Sequence, residues 1–175
     1  MSSKNTSSQL WQKKDGIIRF TIEADRTTGP DWGNRLKKNG IPLGRGVEKI
    51  LHSPDFEPIS NGTLEIAVIK KEDENLSGIN WTETQSRDEA KRLGLLTPNP
   101  DLECYFLEKF TIEAIKGMDL DWIRVMHSPI VHPEFDFCLL GETRYEGEPR
   151  TLSACHLSRD TRHYRLGFAF LVPQD

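Results

Sequence analysis

The sequence lacks the cysteine pairs that a disulfide framework requires. Cys104, Cys138 and Cys155 are odd in number and lie far apart in a chain of 175 residues. Small secreted domains usually carry an even number of closely spaced cysteines, because disulfides stabilise folds whose cores are small. A chain of this length can bury a core of its own. We therefore expect reduced thiols and a cytoplasmic protein.

Long apolar runs are also absent. No segment approaches the roughly 18 consecutive apolar residues of a membrane span. The stretch from Met1 to Gln9 is rich in serine and asparagine and has no apolar centre, unlike a signal peptide. We expect residues 1–10 to form a disordered tail and residues 11–175 to form one domain, with no membrane partner.

Neither the charge nor the motifs indicate a familiar chemistry. The net charge is −4 at pH 7, so no overall field attracts nucleic acid or an anionic membrane. The patterns GxxxxGK[ST], GxSxG, HExxH and CxxC do not occur. Their absence removes the most recognisable nucleotide-binding, serine hydrolase, zinc protease and thiol redox sites.

What the chain does contain is strand patterns at both ends and helical patterns between them. Residues 16–23 and 63–70 are rich in β-branched and apolar residues, as strands are. From Leu120 onward a period of two returns and persists, with turn signals between the segments. We therefore predict an α+β fold, a single domain whose short central helices pack on a mainly antiparallel sheet dominated by the C-terminal strands.

Capping residues and apolar spacing locate the central helices. Asp31 is predicted to cap a helix in which Trp32 and Leu36 share one face. Ser86 and Glu89 have the spacing of a capping box, which predicts a second helix start. A later helix is predicted from an apolar stripe at i, i+4 and i+8, formed by Leu102, Phe106 and Phe110.

The last third of the chain concentrates residues that bind metals or act as nucleophiles. It holds four of the five histidines and two of the three cysteines. His127 and His156 each extend the apolar face of a strand toward its end, where a core commonly gives way to a cleft. Imidazole and thiolate ligands suit zinc. One hypothesis is therefore a zinc site of a small metal-dependent hydrolase, with the ligands His127, His132, His156 and Cys138.

Strand register decides which of these residues can meet. If the hairpin is symmetric about Gly147, Cys138 lies opposite His156, and the pair could act as nucleophile and base. Cys155 cannot pair with its neighbour His156, because adjacent strand residues point to opposite faces. In the structural alternative, the ring nitrogens of His127 and His156 are satisfied by the backbone. The sequence leaves these alternatives open.

A polar turn near the C-terminus is a candidate anion site. Arg159, Arg162 and His163 lie between two apolar strands, and two guanidinium groups could hold a phosphate or carboxylate. The alternative is a solvated loop.

A basic helix is a candidate nucleic-acid site. Arg35, Lys37 and Lys38 surround Trp32, and cations beside an exposed aromatic ring can bind single strands by stacking and phosphate contacts. The spacing of Trp32 and Leu36 argues instead that the indole packs inward. We therefore do not expect nucleic acid to be the main partner.

The leading hypothesis for function is a small binding or interaction module without catalysis of its own. It rests on the missing motifs and the ordinary globular composition, 36% hydrophobic and 29% charged. The partner would be another protein or a second copy of the chain. The alternatives are the metal-dependent hydrolase, with zinc as cofactor, and weak nucleic-acid binding.

Overall fold

Strands at both ends of the chain enclose a run of helices. The structure, a computed structural model, describes residues 11–70, 82–132, 136–156 and 165–174. The elements in those ranges are β1 (Gln12–Lys14), β2 (Ile17–Ala24), α1 (Gly29–Lys38), α2 (Val47–Leu51), β3 (Gly62–Ile69), α3 (Glu83–Arg92), α4 (Leu102–Lys109), α5 (Ile112–Gly117), β4 (Trp122–Val125), β5 (Ile130–His132), β6 (Asp136–Thr143), β7 (Thr151–His156) and β8 (Leu166–Leu171). This confirms the α+β class. The predicted tail, residues 1–10, lies outside the described ranges.

Five strands form what we call the large sheet, in the order β1-β2-β3-β8-β4. Its neighbours are antiparallel except β4 and β8, which are parallel. Ile18, Phe20 and Ile22 of β2 are buried at alternate positions, because one face of the strand packs on the core. At the β1 edge, Lys13 and Lys14 are exposed, and lysines on an edge strand discourage further pairing.

The strands β5, β6 and β7 form the small sheet, antiparallel in that order. Cys138 pairs with His156 and Thr143 pairs with Thr151, so the hairpin is centred on Gly147. Gly147 has a φ of 77°, a conformation that favours glycine. The symmetric register, which the sequence left as one possibility, is therefore the one observed.

The C-terminal strands divide between the two sheets instead of forming one continuous meander. β4 and β8 belong to the large sheet, whereas β5 to β7 form the small one. All residues of β8 except the last are buried, which suits a strand with neighbours on both sides and cover on both faces. Alternation within a strand does not identify its partner, so the sequence pattern could not separate the two sheets.

Two helices begin before their predicted caps. The Thr28 side chain caps α1 by accepting from the backbone N–H of Asp31 at 3.4 Å. In α3 the capping box consists of Thr82 and Gln85, not of the predicted pair four residues later. The capping-box spacing occurs twice in this stretch, and the helix starts at the first copy.

Helix α4 is buried on nearly every side. It contacts β4 of the large sheet, β6 of the small sheet and helix α1. A helix that is apolar all round lies inside a protein. The predicted stripe is confirmed as buried, and further buried residues complete the circumference: Leu102, Glu103, Cys104, Tyr105, Phe106, Leu107 and Phe110.

Helix α3 covers the other face of the large sheet. Its Ala90 packs in a second apolar cluster with Phe168 of β8 and Leu139 of β6. Val68 and Ile69 are neighbours on β3 but belong to different clusters, as expected for residues on opposite faces. Both sheets therefore contribute to one layer, with helices on each side.

Candidate functional site

The two sheets meet along a seam between β4 and β6. β4 is the last strand of the large sheet and β6 is the middle strand of the small one, and the two contact each other. In the described ranges no backbone ladder joins them. We define the seam as the contact between residues 121–127 and residues 140–144. Side chains connect the two strands here.

His127 bridges one end of the seam. The backbone N–H of Leu140 donates to its Nε2 at 2.8 Å, and its Nδ1 donates to the Ser128 carbonyl at 2.6 Å. These two bonds require a neutral ring protonated on Nδ1. Burial, with a smaller contribution from the positive charge of Arg87, lowers the pKa of His127 from 6.5 to about 4. His127 is therefore neutral at physiological pH, and both ring nitrogens are engaged by the backbone.

Arg87 of α3 binds the backbone at the same end of the seam. Its guanidinium donates to the carbonyls of Met126 at 2.9 Å and His127 at 2.7 Å. Glu83, one turn earlier on α3, accepts from Arg87 at 3.0 Å and fixes its orientation. The helix on one face of the layer thus holds the strand end that carries His127.

Arg144 bridges the opposite end. It donates to the carbonyl of Asp121 at 2.9 Å, and its guanidinium lies 4.2 Å from the centre of the Trp122 ring. Its other partner is Glu142, whose side chain is only 6% exposed. Arg150 also donates to Glu142, at 2.6 and 2.9 Å. Burial by itself raises the pKa of Glu142, but these two arginines hold it below its ordinary value.

Glu103 of α4 points into the middle of the seam. It is 2% exposed, and its Oε2 has no hydrogen-bond partner among the described residues. Burial, and then the negative charge of Glu142, raise the pKa of Glu103 from 4.5 to about 8, although the backbone N–H of Val125 donates to the carboxyl. A buried carboxyl without a cationic partner keeps its proton because the charged form is poorly solvated. Glu103 is therefore neutral at pH 7.

Asp101 is a second buried acid, just before α4. Its Oδ2 accepts from the backbone N–H of Ile59 at 2.8 Å, whereas Oδ1 has no partner in the described part of the chain. Burial raises the pKa of Asp101 from 3.8 to about 7. The hydrogen bond holds the loop around Ile59 against the start of α4.

The structure brings together only part of the predicted zinc site. Cys138 pairs with His156 across the hairpin, and its thiol lies 3.6 Å from the Ile130 carbonyl. The side chains of His132 and His156 lie outside the described residues. Among the side chains that are described, no group of three or more His, Cys, Asp or Glu residues could hold a metal ion. The zinc site stays a prediction.

The predicted anion ligands cannot be placed. Arg159, Arg162 and His163 all lie outside the described ranges. At Arg165, where the description resumes, the guanidinium pairs with Asp119 and Asp121 beside β4. The anion site therefore also stays a prediction.

The basic helix has a different arrangement from a stacking site. Trp32 is fully buried, with its ring edge-on to Tyr105 at 4.6 Å between centres, so it offers no face to a base. Arg35 lies 4.5 Å above the Trp32 ring and pairs with Asp25 and Glu108. The inference that Trp32 packs inward is confirmed.

The two lysines of that helix differ in their partners. Lys37 pairs with Glu48 of α2 at 2.5 Å, and Lys38 is exposed. Because no aromatic ring is available to stack on bases, these lysines could contribute only electrostatic attraction to phosphate groups.

Sequence reasoning missed the acids and arginines of the seam. Glu103 gave one usable signal, since it is the charged residue inside the buried run from Leu102 to Leu107. A charged residue in a helix that is apolar all round is buried with it. Glu142, Arg144 and Arg150 gave no such signal, because each looks like an ordinary polar residue beside a hairpin.

A small apolar patch is exposed on the small sheet. Val131 of β5 and Phe137 of β6 are cross-strand partners, and each is 58% exposed. Side chains directly opposite each other on antiparallel strands lie on the same face. We call this pair the outer patch. A second exposed aromatic, Tyr145, lies beyond the other end of β6 and is 66% exposed.

Comparisons of the chain with protein-family models, with curated proteins and with solved structures found no match. In the part of the chain that is described, none of the helices combines the length and the apolar character needed to cross a bilayer.

Proposed function

We propose that this protein is a small cytoplasmic binding module without catalysis of its own, and that the outer patch is its contact surface. The observation that carries the proposal is the exposure of Val131 and Phe137 as a cross-strand pair. Aromatic side chains are enriched at protein–protein contact surfaces.

The chemistry of the seam supports the non-catalytic part of this proposal. A general base needs a free lone pair, and the Nε2 lone pair of His127 accepts from the Leu140 backbone. Burial also raises the pKa of Cys155 to about 11, so its thiol is not a ready nucleophile at neutral pH. Both groups act as structural residues in this arrangement.

The size of the outer patch favours a short segment of another protein over a second copy of the chain. At 58% exposure, Val131 and Phe137 together present roughly 200 Å² of surface. A stable complex between folded proteins buries about 800 Å² on each partner. A short extended segment with apolar side chains at alternate positions can use a two-residue patch, and its own apolar residues would cover Phe137.

Selection from a displayed library of random peptides tests this proposal. Peptides that bind the wild type would be synthesised, and their affinities measured against Phe137→Ser. We expect a loss of about 30-fold or more, which is typical for removal of an aromatic hot spot. Tyr145→Ser is the matched control, since it removes another exposed aromatic, and it should leave the affinity unchanged.

Three outcomes would contradict the proposal. The first is that selection yields no binding peptide, and the second is that the selected peptides bind Phe137→Ser as tightly as the wild type. The third is a wild-type dimer in sedimentation that Phe137→Ser converts to monomer, because it would assign the patch to a second copy. Circular dichroism should show that Phe137→Ser folds, since the loss of an exposed cross-strand pair costs about 1 kcal/mol or less.

The metal-dependent hydrolase is a second candidate, favoured by the register that places Cys138 opposite His156. His132 is the remaining predicted ligand, since both ring nitrogens of His127 are engaged by the backbone. Elemental analysis of protein purified without a polyhistidine tag tests it, and near-stoichiometric zinc is the supporting result. A metal-free protein whose thermal stability does not respond to zinc would remove this candidate.

A further inference from the structure

The hydrogen bonds of β7 reveal which way the backbone groups of the small sheet point. Leu152 donates its N–H to the Pro42 carbonyl at 3.1 Å, and its carbonyl accepts from the Gly44 N–H at 2.7 Å. Both backbone groups of Leu152 therefore point away from β6. In an antiparallel pair of strands, residue pairs that exchange backbone hydrogen bonds alternate with pairs that do not. Leu152 and its partner Glu142 consequently form a pair without hydrogen bonds.

The same alternation continues along β6. The register from Thr143 to Cys138 is unbroken, so Leu140 and Cys138 also direct their backbone groups away from β7. The Leu140 N–H supports this independently, since it donates to Nε2 of His127 on that side. The backbone of Cys138 therefore faces β5, where it exchanges hydrogen bonds with its partner Ile130.

Val131 follows Ile130 on β5, and its backbone points in the opposite direction. Because the pair before it is hydrogen-bonded, the pair of Val131 and Phe137 is not. The N–H and C=O of Val131 therefore point to the outer edge of the small sheet. Among the described residues, neither group has a hydrogen-bond partner. Pro129, just before β5, has no N–H to donate. Within β5, the outer edge thus offers one donor and one acceptor, both on Val131.

The other sheet edges in the described ranges differ from this one. The β1 edge carries exposed polar side chains, including Lys13 and Lys14. On β7, the backbone of Leu152 is already paired with residues 42–44, and its side chain is buried. The edge of β4 faces β6. At β5, the outward N–H and C=O belong to Val131, whose apolar side chain is exposed on the outer patch.

We propose that the partner segment binds by strand addition: it pairs with the edge of β5 through the backbone of Val131 and becomes a fourth strand of the small sheet. This inference rests on the proposed function and adds how the segment is held. In either strand direction, one N–H of the segment donates to the Val131 carbonyl. The residue opposite Val131 places its side chain on the same face as Phe137. An apolar side chain there extends the outer patch and covers it.

The chemistry of this edge favours an extended peptide over a helix. Strand addition requires a partner whose own backbone N–H and C=O are available. A helix has those groups engaged within itself, whereas an extended segment presents them at alternate positions. β5 is three residues long, so a short segment matches it. With only one donor and one acceptor on the edge, the backbone determines the position of the segment, and contact with Phe137 supplies most of the affinity.

A backbone scan of the selected peptides tests strand addition. Each amide of a binding peptide is N-methylated in turn, and the affinity for the wild-type protein is measured. Methylation of the amide that faces Val131 removes a donor and places a methyl group in the contact, so the affinity should fall about tenfold or more. The amides on either side of it point to solvent, because successive strand amides alternate in direction. Their methylation should change the affinity by less than about threefold.

Val131→Pro removes a hydrogen bond from the protein side. The Val131 N–H faces outward, and proline is accepted at such a position on an edge strand, so the variant should fold. Val131→Ala is the matched control, since it removes more of the side chain but keeps the N–H. We expect Val131→Pro to bind the peptides about fivefold more weakly than Val131→Ala. Circular dichroism shows whether both variants are folded.

Amide hydrogen exchange measured by NMR gives a readout that does not depend on a substitution. In the wild type, a saturating concentration of peptide should slow the exchange of the Val131 amide about tenfold or more, because the amide gains a partner. The exchange of Ile66, in the large sheet, should respond much less, since this residue lies in a central strand away from β5.

The failure of strand addition can be told apart from the failure of the proposed function. Peptides that depend on Phe137 could tolerate N-methylation at every position and leave the exchange of the Val131 amide unchanged. Strand addition would then be wrong, while the proposed function would stand with the segment held by side chains alone. Equal binding by Val131→Pro and Val131→Ala would also count against strand addition. Should Val131→Pro fail to fold, the peptide scan and the exchange measurement on the wild type still decide. A selection without any binding peptide would remove both proposals.

Discussion

Replacement of His127 by glutamine tests the reasoning about the seam most directly. A glutamine carbonyl can accept from the Leu140 N–H as Nε2 does now, but the amide does not titrate. The buried ring has a pKa of about 4, lowered from 6.5 by burial. Such a group supports the fold fully above pH 6.5, and this support is lost as the pH falls toward 4, because the unfolded chain binds the proton first.

The magnitude follows from the size of the shift. A displacement from 6.5 to about 4 corresponds to about 3 kcal/mol of unfolding free energy over the full interval. At pH 5.0, about 2 kcal/mol of this should already be lost in the wild type. His127→Gln should lack that loss, although at pH 7.5 it should be about 1 to 2 kcal/mol less stable because the ring packing is gone. The gap between the two proteins should therefore close by about 2 kcal/mol.

Urea unfolding followed by circular dichroism at pH 7.5 and 5.0 measures this gap. His52→Gln, at an exposed position on the end of α2, controls for the loss of a histidine as such. A gap of the same size at both pH values would refute the assignment of His127 as a neutral, backbone-bonded bridge. In that case folding would not lower the pKa of His127.

Two further changes test the core. Asp101→Asn keeps an acceptor for the Ile59 N–H but cannot ionise, whereas the pKa of Asp101 rises from 3.8 to about 7 on folding. In urea unfolding, the stability of the variant relative to the wild type should therefore improve by roughly 4 kcal/mol between pH 4 and pH 8. An unchanged difference would contradict the burial of an uncompensated acid. Gly29→Ala should lower the stability by about 3 kcal/mol, because its Cβ would lie 1.8 Å from the Leu51 carbonyl oxygen. Gly117→Ala, with open space around the new methyl group, should be neutral or slightly stabilising in thermal unfolding.

Local patterns predicted local structure well. The alternation in β2, the apolar stripe of α4 and the hairpin register about Gly147 all follow from residues close together in the chain. The inward position of Trp32 followed from its one-turn spacing to Leu36. Each of these depends on a geometric period or a turn that a few neighbouring residues determine.

Partners distant in the chain could not be predicted in the same way. The parallel pairing of β4 with β8 joins segments about 44 residues apart, as in the Trp122–Leu166 pair, and nothing within either segment specifies the other. The chemistry of the seam depends on that pairing, because it puts β4 at the sheet edge that faces β6. The sequence suggested His127 as a metal ligand, whereas its partners in the structure are backbone groups.

The amino-acid sequence by itself determined which segments are strands and helices, where the hairpin turns, and which faces are apolar. Only the tertiary structure decided what those faces meet. Periodicity is a property of neighbouring residues, but the burial of Glu103, the neutral state of His127 and the exposure of Phe137 depend on which elements lie across from them. Solvation and charge act through space, so the chemistry of the seam appears only when α4, β4 and β6 come together.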